Sequence, residues 1–134
     1  MPGVLVDSNV LLDVLTEDPT WFAWSSDALG RAAESEPLII NPIIYAEVSV
    51  GFARIEDLDA ALPTAFFRRD ALPWEAGFLA GKCFRRYRRA GGTRRSPLPD
   101  FFVGAHAAIR GHALLTRDAA RYRTYFPTVQ VIAP

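Results

Sequence analysis

"GVLVDSNVLLD" spans residues 3–13. Val4, Leu5 and Val6 make a short, β-branched apolar run without polar alternation, which predicts a strand buried on both faces. Asp7 ends that run, and the pattern from Ser8 to Leu15 predicts a short helix. An acid at a strand tip, directly before a helix, has two physical readings. It caps the helix, as aspartate commonly does, or it faces a pocket and holds something there.

Beyond this stretch, short apolar runs alternate with longer helical patterns. Helices are predicted over 18–34, 42–52, 55–66 (broken near Pro63), 74–92, 99–111 and 118–125. Strands are predicted over 37–41, 112–116 and 129–133, and residues 70–74 read only as a short extended piece. Pro42 opens its helix where a missing N–H costs nothing, and Gly91-Gly92 stops the long one. Strand–helix alternation argues for an α/β fold: a central parallel sheet with helices on both faces, in three layers. At 134 residues, half of them hydrophobic, the chain is expected to form one domain over 1–134.

Composition narrows the setting. The net charge is zero, so no global field advertises a nucleic-acid partner. The single cysteine, Cys83, rules out an intrachain disulfide and a multi-cysteine zinc site. It reads as a small buried hydrophobe. "MPGVLVD" (1–7) lacks the features of a signal peptide, and the most apolar stretch is interrupted by Asn41, Pro42 and Glu47. No membrane association and a cytoplasmic location are expected.

In a parallel sheet, ligands bind beyond the carboxyl ends of the strands. Asp7 ends the first strand, Asp118 follows the strand "ALLT" (113–116) by two residues, and Asp100 starts a helix. Each taken singly reads as a helix cap. Glu47 does not, because Ile43, Ile44, Tyr45, Val48 and Val50 surround it within an apolar helix. A buried carboxylate must be paired, protonated or metal-bound. Together the four suggest a carboxylate cluster whose mutual repulsion a divalent cation would remove. Oxygen donors alone select a hard ion, Mg²⁺ or Mn²⁺. Such ions act mainly on phosphate esters through bound water.

"VDSNVLLD" (6–13), "NPIIYAEV" (41–48), "SPLPDFFVGAHA" (96–107) and "LLTRDAARY" (114–122) then resemble, in order and spacing, the signature segments of the PIN-domain family. More narrowly they resemble the VapC-type toxins of bacterial toxin–antitoxin pairs. The resemblance covers nearly the whole chain. It implies a metal-dependent endoribonuclease that uses Mg²⁺ or Mn²⁺ and leaves 5′-phosphate and 3′-hydroxyl ends. Asp7, Glu47, Asp100 and Asp118 correspond to the acidic quartet, as catalytic and metal-holding residues. Asn9 and Thr116 match the polar residues that orient them. It also implies a homodimer and a small antitoxin that blocks the acidic site. The apolar helices at 20–34 and 55–66 are candidate contact surfaces, Trp21, Phe22 and Trp24 being too many aromatics for one core face. A non-catalytic PIN module that binds metal and RNA is the main alternative. A haloacid-dehalogenase-type phosphatase would need an acid where Asn9 stands, and a receiver-type switch would need adjacent early acids.

Between Glu75 and Asp100 there is no acid, while "KCFRRYRRAGGTRR" (82–95) interleaves arginines with Phe84 and Tyr87. This is a solvated helix face or an RNA-tracking surface. Arg94 and Arg95, on the loop leading to Asp100, are the preferred substrate-binding pair. His106 is expected to be a packing residue, and His112 has no assigned role.

Overall fold

A computed structural model describes residues 1–134. Its five strands are β1 (Val4–Val6), β2 (Leu38–Ile40), β3 (Phe67–Arg69), β4 (Ala113–Leu115) and β5 (Val131–Ile132). Its seven helices are α1 (Ser8–Leu15), α2 (Phe22–Ser35), α3 (Pro42–Ser49), α4 (Ile55–Ala61), α5 (Trp74–Arg89), α6 (Pro99–Arg110) and α7 (Ala120–Tyr125). All strand pairs are parallel, in the order β3-β2-β1-β4-β5. Helices on both faces complete the expected three-layer α/β/α arrangement. The three central strands are apolar throughout, and Leu5, Val6, Ile39, Leu114 and Leu115 are fully buried. That is why they read as continuous hydrophobic runs rather than as alternating ones.

The topology places one crevice. From β1 the chain first builds β2 and β3 on one side, then returns to lay β4 and β5 on the other. Strand order therefore reverses between β1 and β4, where an open parallel sheet leaves a cleft beyond its carboxyl ends. Val6 is the register partner of Leu115, so the residues that follow them, Asp7 and Thr116, leave the sheet side by side. The Asp7 N–H donates to Leu115 O at 2.8 Å and locks that level.

Four helices, α1, α3, α6 and α7, carry side chains to the cleft. Asn41 caps α3 by accepting the Ile44 N–H at 2.9 Å, and Pro42 occupies the first turn. Helix α6 ends at Gly111, whose φ of 70° is the left-handed conformation that favours glycine. Gly104 lets α6 approach α7 closely. A Cβ there would lie 2.3 Å from the Phe126 ring, at the end of α7. The helix that carries Asp100 is thereby seated against the one that follows Asp118.

The structure corrects several element boundaries. The helix expected over 18–34 begins at Phe22. Before it, Asp18 Oδ2 accepts the N–H groups of Thr20 and Trp21 at 3.0 and 2.8 Å and holds a turn. The helix expected over 55–66 ends at Ala61, ahead of Pro63. The strand β3 occupies Phe67–Arg69, not the piece at 70–74. Two arginines disguised it. On this edge strand Arg68 pairs with Asp70 and Arg69 with Asp59, at 3.0 and 2.8 Å, and such charges protect an edge from further pairing. Trp21 and Trp24 pack edge to face on each other, 6.3 Å between centroids, and stay partly buried, while Phe22 is 37% exposed. No helix is long and apolar enough to cross a membrane.

Candidate active site

Asp7 is the N-cap of α1 and is almost fully buried. Its Oδ1 accepts the Ser8 N–H at 2.8 Å. Its Oδ2 accepts the Thr116 hydroxyl at 2.8 Å and lies 2.9 Å from the Tyr122 hydroxyl. That same Tyr122 oxygen lies 3.3 Å from Asp100 Oδ1. A phenol has one proton, so it serves one carboxylate at a time while touching both. On the other side, the Ser8 hydroxyl donates to Glu47 Oε1 at 3.1 Å. Glu47, Asp7 and Asp100 thus come from α3, the tip of β1 and the first turn of α6, and are strung on one relay through Ser8 and Tyr122.

Charge accumulates here faster than it is neutralised. Burial pushes the Asp7 carboxyl above its ordinary range, and the charge of Asp100 adds to the rise, against the hydrogen bonds from Thr116, Tyr122 and Ser8. Burial also pushes Glu47 up, reinforced by the charges of Asp7 and Asp100. Burial first, then Asp7 and Asp100, hold Tyr122 protonated. The one cation bonded to the three acids is Arg121, whose Nη1 lies 3.2 Å from Asp100 Oδ2.

Asp7 both caps a helix and faces the cleft. Asp100 is not a cap; Leu98 is, and Asp100 sits inside the first turn. Asp118 is not a cap either, since α7 starts after Ala119. The Asp118 carboxylate is exposed, and no hydrogen bond joins it to the other three acids. Its backbone N–H does reach Thr116 Oγ1, at 3.2 Å. Thr116 also receives the Asn9 amide at 3.3 Å, so Asn9 orients the hydroxyl that orients Asp7. Arg94 and Arg95 are exposed on a loop that is itself fastened. Arg88 Nη1 donates to Arg94 O at 2.8 Å, and a Cβ on Gly92 would meet the Tyr87 ring at 2.2 Å. Arg88 is therefore occupied in holding this loop.

Sequence reasoning missed Tyr122, Ser8 and the use of Asp13. Tyr122 lies four residues after Asp118, one helical turn on, and that spacing was its only signal. Asp13 is buried and takes the Ser25 hydroxyl at 2.7 Å. Arg117 grips it through Nε and Nη2 at 2.9 and 3.0 Å and lies over Trp21. This ion pair ties the α1–α2 region to the turn that carries Asp118.

A second polar cluster was also unforeseen. The ligand-type atoms of Asp70, His106 and His112 lie within 4.8 Å of one another, so by donor type and spacing they could hold a metal ion. Their hydrogen bonds argue differently. The Gly3 N–H can only donate, so His112 Nδ1 accepts it at 3.1 Å, and Nε2 carries a proton to Asp70 Oδ2 at 3.1 Å. Asn41 Oδ1 is committed to Ile44, so its amide N–H faces His106 Nδ1 at 2.9 Å. His106 Nε2 then carries its proton toward Asp70 Oδ2, 3.7 Å away, with no closer partner. Both ring nitrogens that would bind an ion are protonated, and both opposite nitrogens accept. Metal-bound histidines show the reverse pattern. The cluster acts as a clasp that joins α6 to the cap of α3.

A family model described as PIN domain matches residues 4–127. The chain belongs to the PIN-domain family. The phosphatase and receiver readings fall with that assignment. Among solved structures, this PIN domain is similar to a chain of VapBC2 from Rickettsia felis bound to a promoter DNA fragment. The TM-score is 0.74 at 15% identity, over 98% of each chain. It is similar to a chain of DNA-bound VapBC from Salmonella typhimurium at TM-score 0.71 and 16% identity, over 99% of this chain and 98% of that one. It is also similar to a chain of a toxin–antitoxin complex from Klebsiella pneumoniae at TM-score 0.68 and 19% identity, over 90% of each. No curated protein matches the sequence.

Two outcomes follow from the electrostatics. Glu47→Gln removes one of three crowded charges, so without divalent cation it should raise stability by about 0.5–1 kcal/mol, roughly 2–4 °C in Tm, after allowance for solvent screening. Differential scanning calorimetry in EDTA checks this, and a lower Tm would mean that Glu47 is not under repulsive load. The clasp gives the second. Burial holds His106 at about 4, below its ordinary 6.5, with His112 adding to the effect. The unfolded chain therefore takes up that proton first as pH falls. Stability should drop by about 2–3 kcal/mol between pH 6.5 and 4. His106→Gln, measured by urea unfolding at each pH, should lack that component.

Proposed function

We propose that this chain is a metal-dependent endoribonuclease acting as the toxin of a toxin–antitoxin pair. The observation that carries the reading is the convergence of Asp7, Glu47 and Asp100 at the topological switch point. Their burial and mutual repulsion push the Asp7 and Glu47 carboxyls above their ordinary pKa range. A structural site pairs its acids with cations, whereas here only Asp100 meets one, through a single nitrogen of Arg121. All the donors are oxygens, which fits Mg²⁺ or Mn²⁺.

Asp7, Asp100 and Glu47 would hold the ion, with Asp118 joining from the exposed rim. Bound there, the ion would supply a water of lowered pKa and neutralise charge on the scissile phosphate. The chain's own groups do the rest. Thr116 and the Ser8 N–H fix the Asp7 carboxylate in one rotation, and Asn9 fixes Thr116. Tyr122, protonated throughout, holds Asp7 and Asp100 to a common side. Glu47, half-buried on α3, is placed to orient the attacking water. Arg94 and Arg95 offer planar phosphate-binding forks on a loop that leads to Asp100.

The proposed partners are RNA as substrate, a cognate antitoxin and a second copy of the chain. The structural neighbours solved as VapBC or toxin–antitoxin complexes support the antitoxin. Apolar side chains exposed between the end of α3 and the start of α5 support a partner surface: Val50, Ile55, Phe66, Trp74 and Phe78. They supplement the helices at 20–34 and 55–66 named from the sequence. A single domain over 1–134 and a cytoplasmic location belong to the same proposal.

Incubation of the purified chain with a mixed tRNA and rRNA pool tests the activity. Discrete cuts are expected with Mn²⁺ or Mg²⁺ and none with EDTA. Asp7→Asn and Asp100→Asn should each lower the rate by at least about 100-fold while keeping a folded circular-dichroism spectrum. Metal-dependent cutting at the wild-type rate in both variants would refute the assigned roles. Light scattering tests the dimer, which should give twice the chain mass; a monomer at tens of micromolar would remove it.

A further inference from the structure

We propose that Arg121 is the side chain that grips the RNA phosphate beside the acidic centre, and that its bond to Asp100 is the resting state of that grip. This rests on the ribonuclease reading and adds a residue to it.

Most arginines near the cleft are already committed to partners. Arg117 is committed to Asp13 through two nitrogens and packs over Trp21. Arg88 holds the carbonyl of Arg94. Arg68, Arg69 and Arg110 pair with Asp70, Asp59 and Glu75, away from Asp7, Glu47 and Asp100. Arg121 alone touches the acidic relay, and it does so through one nitrogen, at 3.2 Å. A guanidinium has five N–H donors. The others on Arg121 have no partner in the protein, and its side chain is 41% exposed.

A single, half-exposed contact of this kind is weak and exchangeable. A phosphate offers Arg121 a two-pronged, charge-assisted partner, and a carboxylate relieved by a cation needs Arg121 less. Tyr122, the next residue, sits between Asp7 and Asp100. Arg121 is therefore held at the edge of the place where phosphate charge would develop. Donors already aimed at developing charge are the most effective kind.

Removing Arg121 has two effects of opposite sign. Resting on Asp100, Arg121 competes with a cation for that carboxylate. Arg121→Gln should then bind Mn²⁺ more tightly, by roughly two- to five-fold in calorimetric titration. The same variant should cut RNA slower by roughly 100-fold. Its RNA binding, measured with the Asp100→Asn background to prevent cutting, should show a salt slope shallower by about one. Arg121→Lys, which keeps the charge and loses the fork, should recover only part of the rate. Arg121 lies at the surface of α7, so the variants are expected to fold, and circular dichroism verifies it.

A residue that merely neutralised Asp100 would not slow cutting when removed. Unchanged cutting or an unchanged salt slope in Arg121→Gln overturns the phosphate grip. Mn²⁺ affinity that is unchanged or weaker overturns the competition with Asp100. If the wild-type chain cuts no RNA with either metal, the ribonuclease reading fails instead, and the Mn²⁺ titration still decides whether Arg121 competes for Asp100.

Discussion

Carboxylates of Asp7, Glu47 and Asp100 are held together at the mouth of a parallel sheet, and the surrounding side chains are arranged around that costly repulsion. Like charges in partial burial repel strongly, and apart from the single Arg121 contact at Asp100 they are anchored by groups that do not cancel them. Ser8 and Tyr122 do this with hydroxyls and Thr116 with a third. Neutral donors orient a carboxylate and leave its charge in place. That is the condition a cation-binding centre needs and the opposite of what a structural ion pair achieves.

Asp13 shows the contrast inside the same molecule. It is as buried as Asp7, yet Arg117 neutralises it and Ser25 completes it. It ties elements together. Asp70 behaves in the same way: burial pushes it up, but hydrogen bonds from Arg68 and His112 outweigh that and hold it below its usual range. Through His106 and Asn41 its cluster links α6 to the start of α3, which carry Asp100 and Glu47 respectively. The acids clamped by Arg117 and Arg68 thus form a frame around the crowded ones.

Much of this was legible in the sequence because it follows from strand ends. "VLV" before Asp7 and "ALLT" before Asp118 placed two acids at a carboxyl edge, and Glu47 stood out as a charge inside an apolar helix. The parallel sheet and the cleft followed from alternation alone. Edge strand β3 was not legible, because Arg68 and Arg69 make it look like a loop until Asp70 and Asp59 are seen beside them. Tyr122 and Arg121 were not legible either, because their roles arise from α7 folding over the tip of β1, more than a hundred residues away in the chain. The Asp70–His106–His112 clasp needed the same long-range information. Asp118 marks the converse case. Its position in the motif was plain, yet its carboxylate stands exposed and unbonded to the other acids.

A crystal soaked in Mn²⁺ and measured at the manganese absorption edge would locate the ion independently of any activity. An anomalous peak is expected between Asp7, Asp100 and Glu47, and none between His106 and His112. A peak at the histidine clasp, or none near Asp7 at millimolar Mn²⁺, would contradict the acidic metal centre.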